Sequence, residues 1–317
     1  MATIVTGGAG FIGSTLVDRL LLDGREVIAV DNFDPYYAPE RKRSHLAGAL
    51  RSPRFRLVEL DIRDGAGVAR LINDVRPEAI AHLAAKAGVR PSIEAPADYA
   101  EVNVVGTVHL LQAACRLPVR PRFVYASSSS VYGDRLEAPF REPDPVDHPV
   151  SPYAATKKAC ELMAATFHHL HALPATGLRL FTAYGPRNRP DLAIAKFATL
   201  IDRGQPVPMF GDGGTLRDYT YVGDIVDGIA RALDRCAGLH LYNLGHSHPV
   251  PLREMIAALA EALGKPARIN PLPEQPGDVR KTHADITLAA RDLGYDPATT
   301  LRDGLARFVE WYRSEPR

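Results

Sequence analysis

The N-terminal segment constrains the fold more than any other part of the chain. Residues 2–6 are an apolar run typical of a buried strand, Gly7-Gly-Ala-Gly10-Phe-Ile-Gly13 follows, and a helical pattern comes next. A strand, a glycine turn and a helix in this order are characteristic of a dinucleotide site. Gly7 permits the tight turn, Gly10 lets the pyrophosphate approach the positive helix end, and Gly13 allows close helix–strand packing. The segment therefore predicts a Rossmann-like unit that begins at the N-terminus.

The residues after the next two strands indicate which dinucleotide binds. The strand at 26–30 ends in Asp31-Asn32, with no basic residue at either position. A carboxylate there accepts hydrogen bonds from the adenosine ribose and repels the 2′-phosphate of NADP, so NAD is the expected cofactor. Asp61 and Ile62 follow the strand at 55–60 and are expected near the adenine, with a helix cap as the alternative role of Asp61.

Strand and helix signals alternate through the first half of the chain. Strands are expected near 2–6, 26–30, 55–60, 79–83, 121–127 and 175–181, and helices near 12–23, 65–75, 97–117 and 152–171. This alternation predicts an α/β fold, a Rossmann-like doubly wound parallel sheet with helices on both faces.

The pattern changes after a Gly/Pro-rich stretch near residue 185. Further elements are expected at 192–203, 207–210, 218–221, 222–235, 251–264 and 300–314, with a strand at 240–244. We predict an NAD-binding domain at 1–185, to which a segment near 222–245 returns. Residues 186–317 are predicted to form a smaller C-terminal α/β lobe that binds the substrate, with the active site in the cleft between the two.

Tyr153, Lys157 and Ser128 are the candidate catalytic residues. Tyr153 and Lys157 are four residues apart on a predicted helix and therefore share one helix face. A free tyrosine has a pKa of about 10, and an adjacent ammonium together with a cationic nicotinamide ring favours the phenolate. Tyr153 can thus act as a general base toward a sugar or alcohol hydroxyl, to which Ser128 can also hydrogen-bond.

Composition argues against several other classes of protein. The net charge is +1, so no strong field attracts nucleic acid or an anionic membrane. No apolar run reaches the roughly 18 residues of a membrane-spanning helix. Cys115, Cys160 and Cys236 are odd in number and lack metal-ligand spacing, which indicates a reducing cytoplasm. Residues 168–171 contain three histidines without an acidic or cysteine partner, so no metal is expected.

Seven motifs are spread over nearly the whole chain. They are T-G-G-A-G-F-I-G at 6–13, D-N-F at 31–33, H-L-A-A at 82–85, N-V-V-G-T at 103–107, S-S-S-S-V-Y-G at 127–133, Y-A-A-T-K at 153–157 and R-D-Y-T-Y-V-G-D at 217–224. Together they resemble the extended short-chain dehydrogenase/reductases, the family of nucleotide-sugar epimerases and dehydratases. The resemblance implies a tightly held NAD, a UDP- or dTDP-sugar, transient oxidation at C4, and a homodimer formed through helices 97–117 and 152–171.

The resemblance also implies individual roles. Tyr153 resembles the catalytic base, Lys157 its electrostatic partner and ribose ligand, and Ser128 the hydroxyl that assists at O4. The expected NAD contacts are Gly7, Gly10, Phe11, Ile12, Gly13, Asp31, Asn32, Asp61, Ile62, Leu83, Ala84, Ala85, Lys86, Asn103, Tyr153 and Lys157. In this set Asn103 is a supporting residue behind the cofactor site.

The expected contacts to the sugar nucleotide are spread over both halves of the chain. They are Arg90, Ser128, Ser129, Ser130, Tyr153, Thr182, Arg187, Arg189, Pro208, Phe210, Arg217, Gln275 and Asp278. By resemblance, Pro208 and Phe210 clamp the base, Arg217 binds the diphosphate and Asp278 contacts the ribose.

The positions after Ser128 distinguish reactions within the family. Dehydratases carry Asp-Glu there and decarboxylases carry a Glu, whereas this chain has Ser129 and Ser130. Without a general acid elimination is disfavoured. Rotation of the 4-keto sugar followed by return of the hydride gives the C4 epimer.

Three stretches resemble one subgroup, the UDP-glucuronate 4-epimerases. They are residues 31–39, 86–93 and 182–191. In this resemblance Thr182, Ser129, Ser130 and Arg189 surround the C6 carboxylate. Arg187 could replace Arg189, because two arginines two residues apart on a loop can point either way, and an exposed loop is the alternative for both.

Two departures and three alternatives remain. Lys86 occupies a position where an amide is expected, and Gln275 one where neutral-sugar epimerases tend to have an arginine, a charge that Arg280 could supply. The first alternative is a neutral-hexose 4-epimerase such as UDP-glucose 4-epimerase, which needs no Arg189. A UDP-glucuronate decarboxylase is disfavoured by the missing Glu, and an NAD-sensing regulator by the presence of both Tyr153 and Lys157.

Overall fold

The computed structural model describes residues 2–273 and 279–315. Its strands are β1 (Ala2–Thr6), β2 (Glu26–Asp31), β3 (Phe55–Glu59), β4 (Ala79–His82), β5 (Arg122–Ser128), β6 (Ala175–Leu180), β7 (Thr182–Tyr184), β8 (Val207–Phe210), β9 (Leu216–Arg217), β10 (Tyr219–Tyr221), β11 (Leu239–Leu244), β12 (Val250–Pro251) and β13 (Ile269–Leu272). Its helices are α1 (Phe11–Leu22), α2 (Pro39–His45), α3 (Gly65–Val75), α4 (Val89–Glu94), α5 (Pro96–Tyr99), α6 (Gly106–Arg116), α7 (Pro152–His171), α8 (Ala193–Asp202), α9 (Val222–Arg235), α10 (Leu252–Leu263), α11 (Thr287–Leu293) and α12 (Leu301–Ser314).

The centre of the molecule is a seven-stranded parallel sheet with the order β11-β6-β5-β4-β1-β2-β3. In its register Val5 lies opposite Ala29 of β2 and Ala81 of β4. The strand order reverses between β1 and β4, and doubly wound sheets bind ligands at the carboxyl ends of the strands beside such a reversal. The predicted Rossmann-like α/β fold is confirmed.

Helices cover both faces of this sheet. Successive side chains of a strand point to opposite faces. Val5 accordingly packs in the core cluster that contains residues of α1 and α9, and Ile4 in the cluster that contains residues of α3 and α6. All five residues of β1 are buried, as expected for a strand at the centre of a parallel sheet.

Elements from late in the chain complete the sheet unit. In α9 the buried apolar residues include Val222, Ile225, Val226 and Ile229, which form one helical stripe against α1. β11 then pairs with β6 as the edge strand. The segment between residues 222 and 244 therefore packs on the large sheet.

A second core lies between α8, α10 and α12. It includes Ile201 of α8, Leu259 of α10 and Phe308 of α12, all of them buried. β8 pairs with β13 beside this core. This smaller lobe carries β8 and β9, in which several predicted substrate contacts lie.

The predicted single helix at 97–117 is wrong in one respect. It is divided into α5, a π-helical segment at Ala100–Val105, and α6. The carbonyl of Asn103 accepts hydrogen bonds from the side chains of Thr107 and Cys160. Local π-helical geometry is frequent at functional sites, and here it positions Asn103.

Candidate functional site

The glycine turn after β1 packs tightly against neighbouring strand ends. Gly7 has a φ of +68°, a left-handed conformation that glycine adopts readily. Its amide donates a 2.8 Å hydrogen bond to the carbonyl of Val30. A Cβ on Gly7 would lie 2.8 Å from the amide nitrogen of Ala84, so no larger residue fits. Gly10 then caps α1, and the amide-rich, positive end of that helix lies beside the turn, where it can bind a phosphate.

Two carboxylates lie at the ends of β2 and β3. Asp31 is 8% exposed and accepts hydrogen bonds from two backbone amides at 3.0 and 2.9 Å. Asp61 accepts a 2.9 Å hydrogen bond from the side chain of Asn32 and two from the guanidinium of Arg63, at 3.0 and 2.8 Å. The hydrogen bonds from Arg63 are the main reason why the pKa of Asp61 falls to about 2. Asp61 is therefore an anion at neutral pH.

Asn103 fixes the loop that follows β4. Its Oδ1 accepts a hydrogen bond from the amide of Lys86 at 2.8 Å, and its Nδ2 donates to the Lys86 carbonyl at 3.0 Å. Nδ2 also lies 3.0 Å from the hydroxyl of Thr156 on α7. Asn103 thus joins residues 83–86 to α7, while the Lys86 ammonium pairs with Asp98 at 3.2 Å.

The beginning of α7 places the candidate base. Ser151 caps the helix by accepting a 3.2 Å hydrogen bond from a backbone amide, and Pro152 is its first residue. Tyr153 therefore lies in the first turn and Lys157 one turn later, with Nζ 6.0 Å from the centre of the Tyr153 ring. The Lys157 ammonium is buried and donates to the carbonyl of Ala126 at 2.8 Å. Its position is thus fixed by β5.

Ser128 is the last residue of β5, two residues after the carbonyl that binds Lys157. Its Oγ accepts a 3.2 Å hydrogen bond from the amide of Ser130 and lies 3.2 Å from the Ser130 hydroxyl. Ser129 and Ser130 begin a 3-10 turn, Ser129–Tyr132, which contains no acidic residue. The turn offers hydroxyls, and no carboxyl group that could protonate a leaving group.

Arg187 and Arg189 contact different parts of the molecule. Arg187 forms a 2.7 Å ion pair with Asp18 on α1. Arg189 makes a two-point contact with Asp191, with Nε–Oδ1 and Nη2–Oδ2 distances of 3.0 and 2.8 Å. Arg187 is therefore held by α1, whereas Arg189 is held within its own loop.

Aromatic rings surround Arg189 and Tyr153. The Arg189 guanidinium lies over the ring of Tyr36, 5.4 Å from its centre. The ring of Tyr99 meets that of Tyr153 edge-on at 6.3 Å, and burial raises the pKa of Tyr99 to about 12. Burial acts to lower the pKa of Arg189, but the hydrogen bonds and the charge of Asp191, together with smaller electrostatic contributions, raise that pKa overall. A partly desolvated cation of this kind can bind an anionic group of a ligand.

Residues of the smaller lobe face the first unit. Pro208 and Phe210 belong to β8, and the guanidinium of Arg90 on α4 lies 5.9 Å from the centre of the Phe210 ring. Thr182 begins β7, and its amide donates to the carbonyl of Asp218 at 3.1 Å. The contact between Arg90 and Phe210 therefore brings α4 next to β8.

The Asp218 carboxylate organises the strands around Arg217. It is fully buried and accepts hydrogen bonds from the amides of His246, Ser247 and Ala284 at 2.7, 3.0 and 2.9 Å. Arg217, the last residue of β9, directly precedes Asp218, and β9 pairs with β12. The predicted contacts Gln275 and Asp278 lie outside the described residues.

Comparisons with known proteins identify the family of this chain. A family model described as GDP-mannose 4,6 dehydratase matches residues 4–308. UDP-glucuronate 4-epimerase 4 of Arabidopsis thaliana is 42% identical, over 99% of this chain and 76% of that protein. The chain belongs to the extended short-chain dehydrogenase/reductases, in their nucleotide-sugar epimerase family.

Two solved structures of this family are also similar. A UDP-glucuronic acid 4-epimerase from Bacillus cereus, in complex with UDP-glucuronic acid and NAD, matches with a TM-score of 0.92 and 32% identity, over 99% of each chain. A UDP-glucose 4-epimerase from Thermotoga maritima, with UDP-glucose, matches with a TM-score of 0.89 and 33% identity, again over 99% of each chain. The family membership that the motifs predicted is confirmed.

In this family member, the predicted cofactor residues follow successive strands or lie on the adjoining helices. Gly7, Gly10, Phe11, Ile12 and Gly13 follow β1, Asp31 ends β2 and Asn32 follows it, Asp61 and Ile62 follow β3, and Leu83, Ala84, Ala85 and Lys86 follow β4. Asn103 lies in the π-helical segment, and Tyr153 and Lys157 lie on α7. The carboxyl ends of parallel strands meet at one edge of the sheet, so the structure brings this set together.

None of the sequence motifs indicates the polar network behind Ser128. Glu161 forms a two-point ion pair with Arg179, with both N–O distances 2.9 Å, and accepts a 2.6 Å hydrogen bond from the hydroxyl of Ser127. All three residues are buried. Glu161 lies one helical turn after Lys157, and that spacing was the one signal in the sequence that could have indicated it.

His82 was also missed. Its Nδ1 lies 2.7 Å from the hydroxyl of Thr6 and its Nε2 2.9 Å from that of Thr107. Complete burial, aided by the charge of Lys157, lowers the pKa of His82 to about 3. The imidazole is therefore neutral and connects β1 to α6 beneath the cofactor turn.

Proposed function

We propose that this protein is an NAD-dependent UDP-glucuronate 4-epimerase that interconverts UDP-glucuronate and UDP-galacturonate. The observation that carries the proposal is the position of Arg189, a cation that lies over the ring of Tyr36, 5.4 Å from its centre, and is held there by a two-point contact with Asp191. The names of the relatives support the same activity, including the Arabidopsis thaliana enzyme and the Bacillus cereus structure. The 3-10 turn after Ser128 has no carboxyl group, which argues against dehydration.

The residues of the first unit fit NAD. A Cβ on Gly7 would collide with the backbone of Ala84, so only glycine fits at this turn. With glycine there, the backbone of the turn can lie directly against a pyrophosphate. Asp31 would accept hydrogen bonds from the ribose hydroxyls, and Asp61 with Ile62 would border the adenine. When bound, NAD takes up a hydride from C4 of the sugar and later returns one.

We assign proton transfer at the sugar O4 to Tyr153. The buried Lys157 places a positive charge 6.0 Å from the centre of the Tyr153 ring, where it would stabilise negative charge that develops on the ring oxygen during proton transfer. Ser128 supplies a hydroxyl that can hydrogen-bond the same oxygen. Asn103 hydrogen-bonds both to the loop after β4 and to α7. It would therefore fix the position of the predicted NAD contacts at residues 83–86 relative to Tyr153.

The smaller lobe is assigned the nucleotide end of the substrate. Pro208 and Phe210 border the cleft opposite α4, where they would hold the uracil base, and Arg217 would bind the diphosphate through its guanidinium fork. This assignment supports a division into a cofactor-binding domain at 1–185, with the later segment near 222–245 returning to it, and a substrate-binding lobe at 186–317.

The residues around the C6 carboxylate would have to prevent loss of CO₂ from the 4-keto intermediate. Oxidation of UDP-glucuronate at C4 gives a β-keto acid, which loses CO₂ fast only when the C5–C6 bond stands perpendicular to the carbonyl plane. An epimerase must therefore hold the carboxylate near that plane while the ring rotates. Arg189, with the hydroxyls of Thr182, Ser129 and Ser130, can do so by charge-assisted hydrogen bonds.

Product analysis tests this function. Purified protein is incubated with UDP-glucuronate without added cofactor and the products are followed by NMR, with UDP-glucose in a parallel reaction. We expect UDP-galacturonate, and slower turnover of the neutral sugar because it offers no anionic group to the remaining donors of the partly buried Arg189 guanidinium. A preference for UDP-glucose would instead indicate a neutral-hexose epimerase, and pentose products with CO₂ would indicate a decarboxylase.

A matched pair of variants tests the carboxylate site. Arg189→Ala should lower kcat/KM for UDP-glucuronate by about 10- to 100-fold relative to that for UDP-glucose. Arg187→Ala, in the same loop but paired with Asp18, should leave that ratio near its wild-type value. The opposite result would assign the carboxylate to Arg187.

Two further proposals concern assembly and location. We propose a homodimer formed through the helical region of 97–117 and 152–171, supported by the exposed apolar side chains Leu162, Met163 and Leu170 of α7. We also propose a cytoplasmic location, supported by three cysteines that are all free thiols. Within the described residues, no helix is long and apolar enough to cross a membrane.

A further inference from the structure

Arg189 is held in place before any substrate arrives. Its Nε and Nη2 donate to the two oxygens of Asp191 at 3.0 and 2.8 Å, and its side chain is only 18% exposed. The hydroxyl of Tyr36 donates to Asp191 Oδ2 at 3.1 Å, while the Tyr36 ring lies against the guanidinium. Two side chains thus restrain one arginine, from its edge and from its face.

This arrangement leaves part of the guanidinium available. An arginine has five N–H donors in a planar fork. Asp191 takes the Nε donor and one Nη2 donor, and Nη1 makes no hydrogen bond to any residue in 2–273 or 279–315. The Nη1–Nη2 edge can therefore form a second two-point contact, which is the geometry that a carboxylate requires.

Tyr36 is connected to the cofactor segment. Its amide donates a 2.9 Å hydrogen bond to the side chain of Asp34, and the Asp34 carbonyl accepts a 2.7 Å hydrogen bond from the buried ammonium of Lys42. The carboxylate of Asp31 accepts a hydrogen bond from the amide of Phe33 in the same segment. The residues that follow the predicted ribose ligand therefore also support Arg189.

We propose that Tyr36 and Asp191 are positioning residues that orient Arg189 toward the C6 carboxylate of the substrate, an inference that rests on the proposed function. The arginine stem has several rotatable bonds, whose ordering on binding weakens affinity. Because Asp191 and Tyr36 fix the Arg189 side chain before the substrate binds, its Nη1–Nη2 edge points in one direction. A fixed direction also holds the substrate carboxylate near the plane of the C4 carbonyl, where CO₂ is retained.

The alternative is that Asp191 is a competitor. A carboxylate that occupies an arginine could block the substrate and leave when the substrate binds. The two roles make opposite predictions, because removing a competitor tightens substrate binding whereas removing a positioning residue weakens it.

The binding experiment uses full-length protein with the Tyr153→Phe substitution, which is expected to bind UDP-sugars without turning them over. Dissociation constants for UDP-glucuronate and UDP-glucose are measured by calorimetry, and their ratio is the readout. Adding Asp191→Asn should lower the preference for the acid about tenfold, and adding Tyr36→Phe, which removes only the hydroxyl, by roughly 2- to 5-fold. Asp18→Asn, which breaks the neighbouring Arg187 pair, is the matched control and should leave the ratio unchanged.

A double-mutant cycle separates positioning from general damage. In an Arg189→Ala background, Asp191→Asn and Tyr36→Phe should have no further effect on the ratio, since they act through Arg189. In proteins that retain Tyr153, the same two substitutions should increase the fraction of turnover that ends as UDP-4-keto-pentose, measured by mass spectrometry. If Asp191→Asn does not fold, judged by far-UV circular dichroism and retained NAD, Tyr36→Phe alone decides the matter.

The outcomes distinguish this inference from the proposed function. If the parent protein shows no preference for UDP-glucuronate, the proposed function fails. If the parent prefers the acid and Arg189→Ala removes that preference, but Asp191→Asn and Tyr36→Phe leave it intact, the positioning role is wrong and the function stands. Tighter binding of UDP-glucuronate by Asp191→Asn would overturn the positioning role in favour of competition.

Discussion

The two sides of the candidate site are held by different kinds of interaction. Behind the base, α7 and β6 are joined by Glu161 and Arg179, whose side chains are 6% and 2% exposed. At the carboxylate side, Arg189 is joined to Asp191, whose side chain is 35% exposed and lies on a loop. Proton transfer thus depends on regular elements with a buried support, and selection of the sugar depends on loops near solvent.

The difference has energetic consequences. Breaking a buried ion pair leaves an uncompensated charge away from water, whereas an exposed pair loses little because water and salt already screen it. Substitutions behind the base should therefore affect folding, and substitutions at the loops should affect selectivity with little effect on folding. The following predictions test that contrast.

The largest effect is expected at the base itself. Tyr153→Phe removes the proton-transfer group while keeping the ring that packs against Tyr99, so kcat should fall by roughly 10²–10⁴-fold or more. UDP-sugar affinity and thermal stability should change little. Turnover is measured by NMR and binding by calorimetry, and a near-native rate would show that the base has been misassigned.

Next in size is the buried support. Glu161→Gln removes the carboxylate that neutralises Arg179 and should lower the free energy of unfolding by about 3–5 kcal/mol. The matched control is Glu59→Gln at the exposed pair with Arg43, where we expect no measurable change. Denaturant unfolding measures both variants, and equal responses would contradict the contrast between the buried and the exposed side.

A smaller effect is expected at the cofactor ribose. Asp31→Ala removes a charged acceptor at the end of β2, which should weaken NAD binding by roughly 1.5–3 kcal/mol and relax the exclusion of NADP. The bound nucleotide is released by denaturation and quantified for wild type and variant. Asp31 also accepts two backbone hydrogen bonds, so folding of the variant must be checked first. If the variant folds and its ratio of bound NAD to NADP is unchanged, Asp31 does not contact the cofactor.

The same contrast explains what could be predicted from the sequence. The bounds predicted for α7, 152–171, agree with the structure because a serine cap and a proline at the first turn are local signals. The inner strands of the large sheet, β1, β2, β4, β5 and β6, are predictable because they are mostly buried on both faces and therefore largely apolar. Motifs on these elements predict Tyr153, Lys157 and the glycine turn.

Contacts between residues that are far apart along the chain could not be predicted from the sequence. Whether Arg187 or Arg189 faces the site depends on Asp18, far away along the chain, and on the loop backbone, where Arg187 has a φ of +66°. The pairing of Glu161 with Arg179 joins a helix to the strand that follows it. Neither contact has a spacing that distinguishes it from chance, so a three-dimensional structure was needed to find them.

The smallest predicted effect concerns Asp61, at the exposed edge of the cofactor site, and depends on pH. Hydrogen bonding to Arg63 lowers the pKa of Asp61 to about 2 in the folded protein, from an ordinary value of 3.8. A carboxyl group with a lowered folded-state pKa stabilises the protein above the unfolded-state pKa, and this contribution is lost as pH falls through the folded-state value. The contribution should therefore be complete above about pH 4 and decline toward pH 2. Because the pair is partly exposed, it should amount to less than about 1 kcal/mol.

Comparing Asp61→Asn with wild type at several pH values tests this expectation. The two proteins are unfolded in urea at pH 6, 4 and 3 at one NAD concentration, and the stabilisation by NAD, calculated from the dissociation constant of each protein, is subtracted. The difference in unfolding free energy should be small at pH 6 and should narrow between pH 4 and 3, since wild-type Asp61 loses its advantage as the unfolded chain takes up the proton. A difference that stays constant down to pH 3 would mean that the charge of Asp61 contributes nothing to stability. A difference of several kcal/mol at pH 6 would mean that Asp61 stabilises the fold as strongly as a buried ion pair such as Glu161–Arg179. That result would contradict the expectation that partly exposed pairs contribute little.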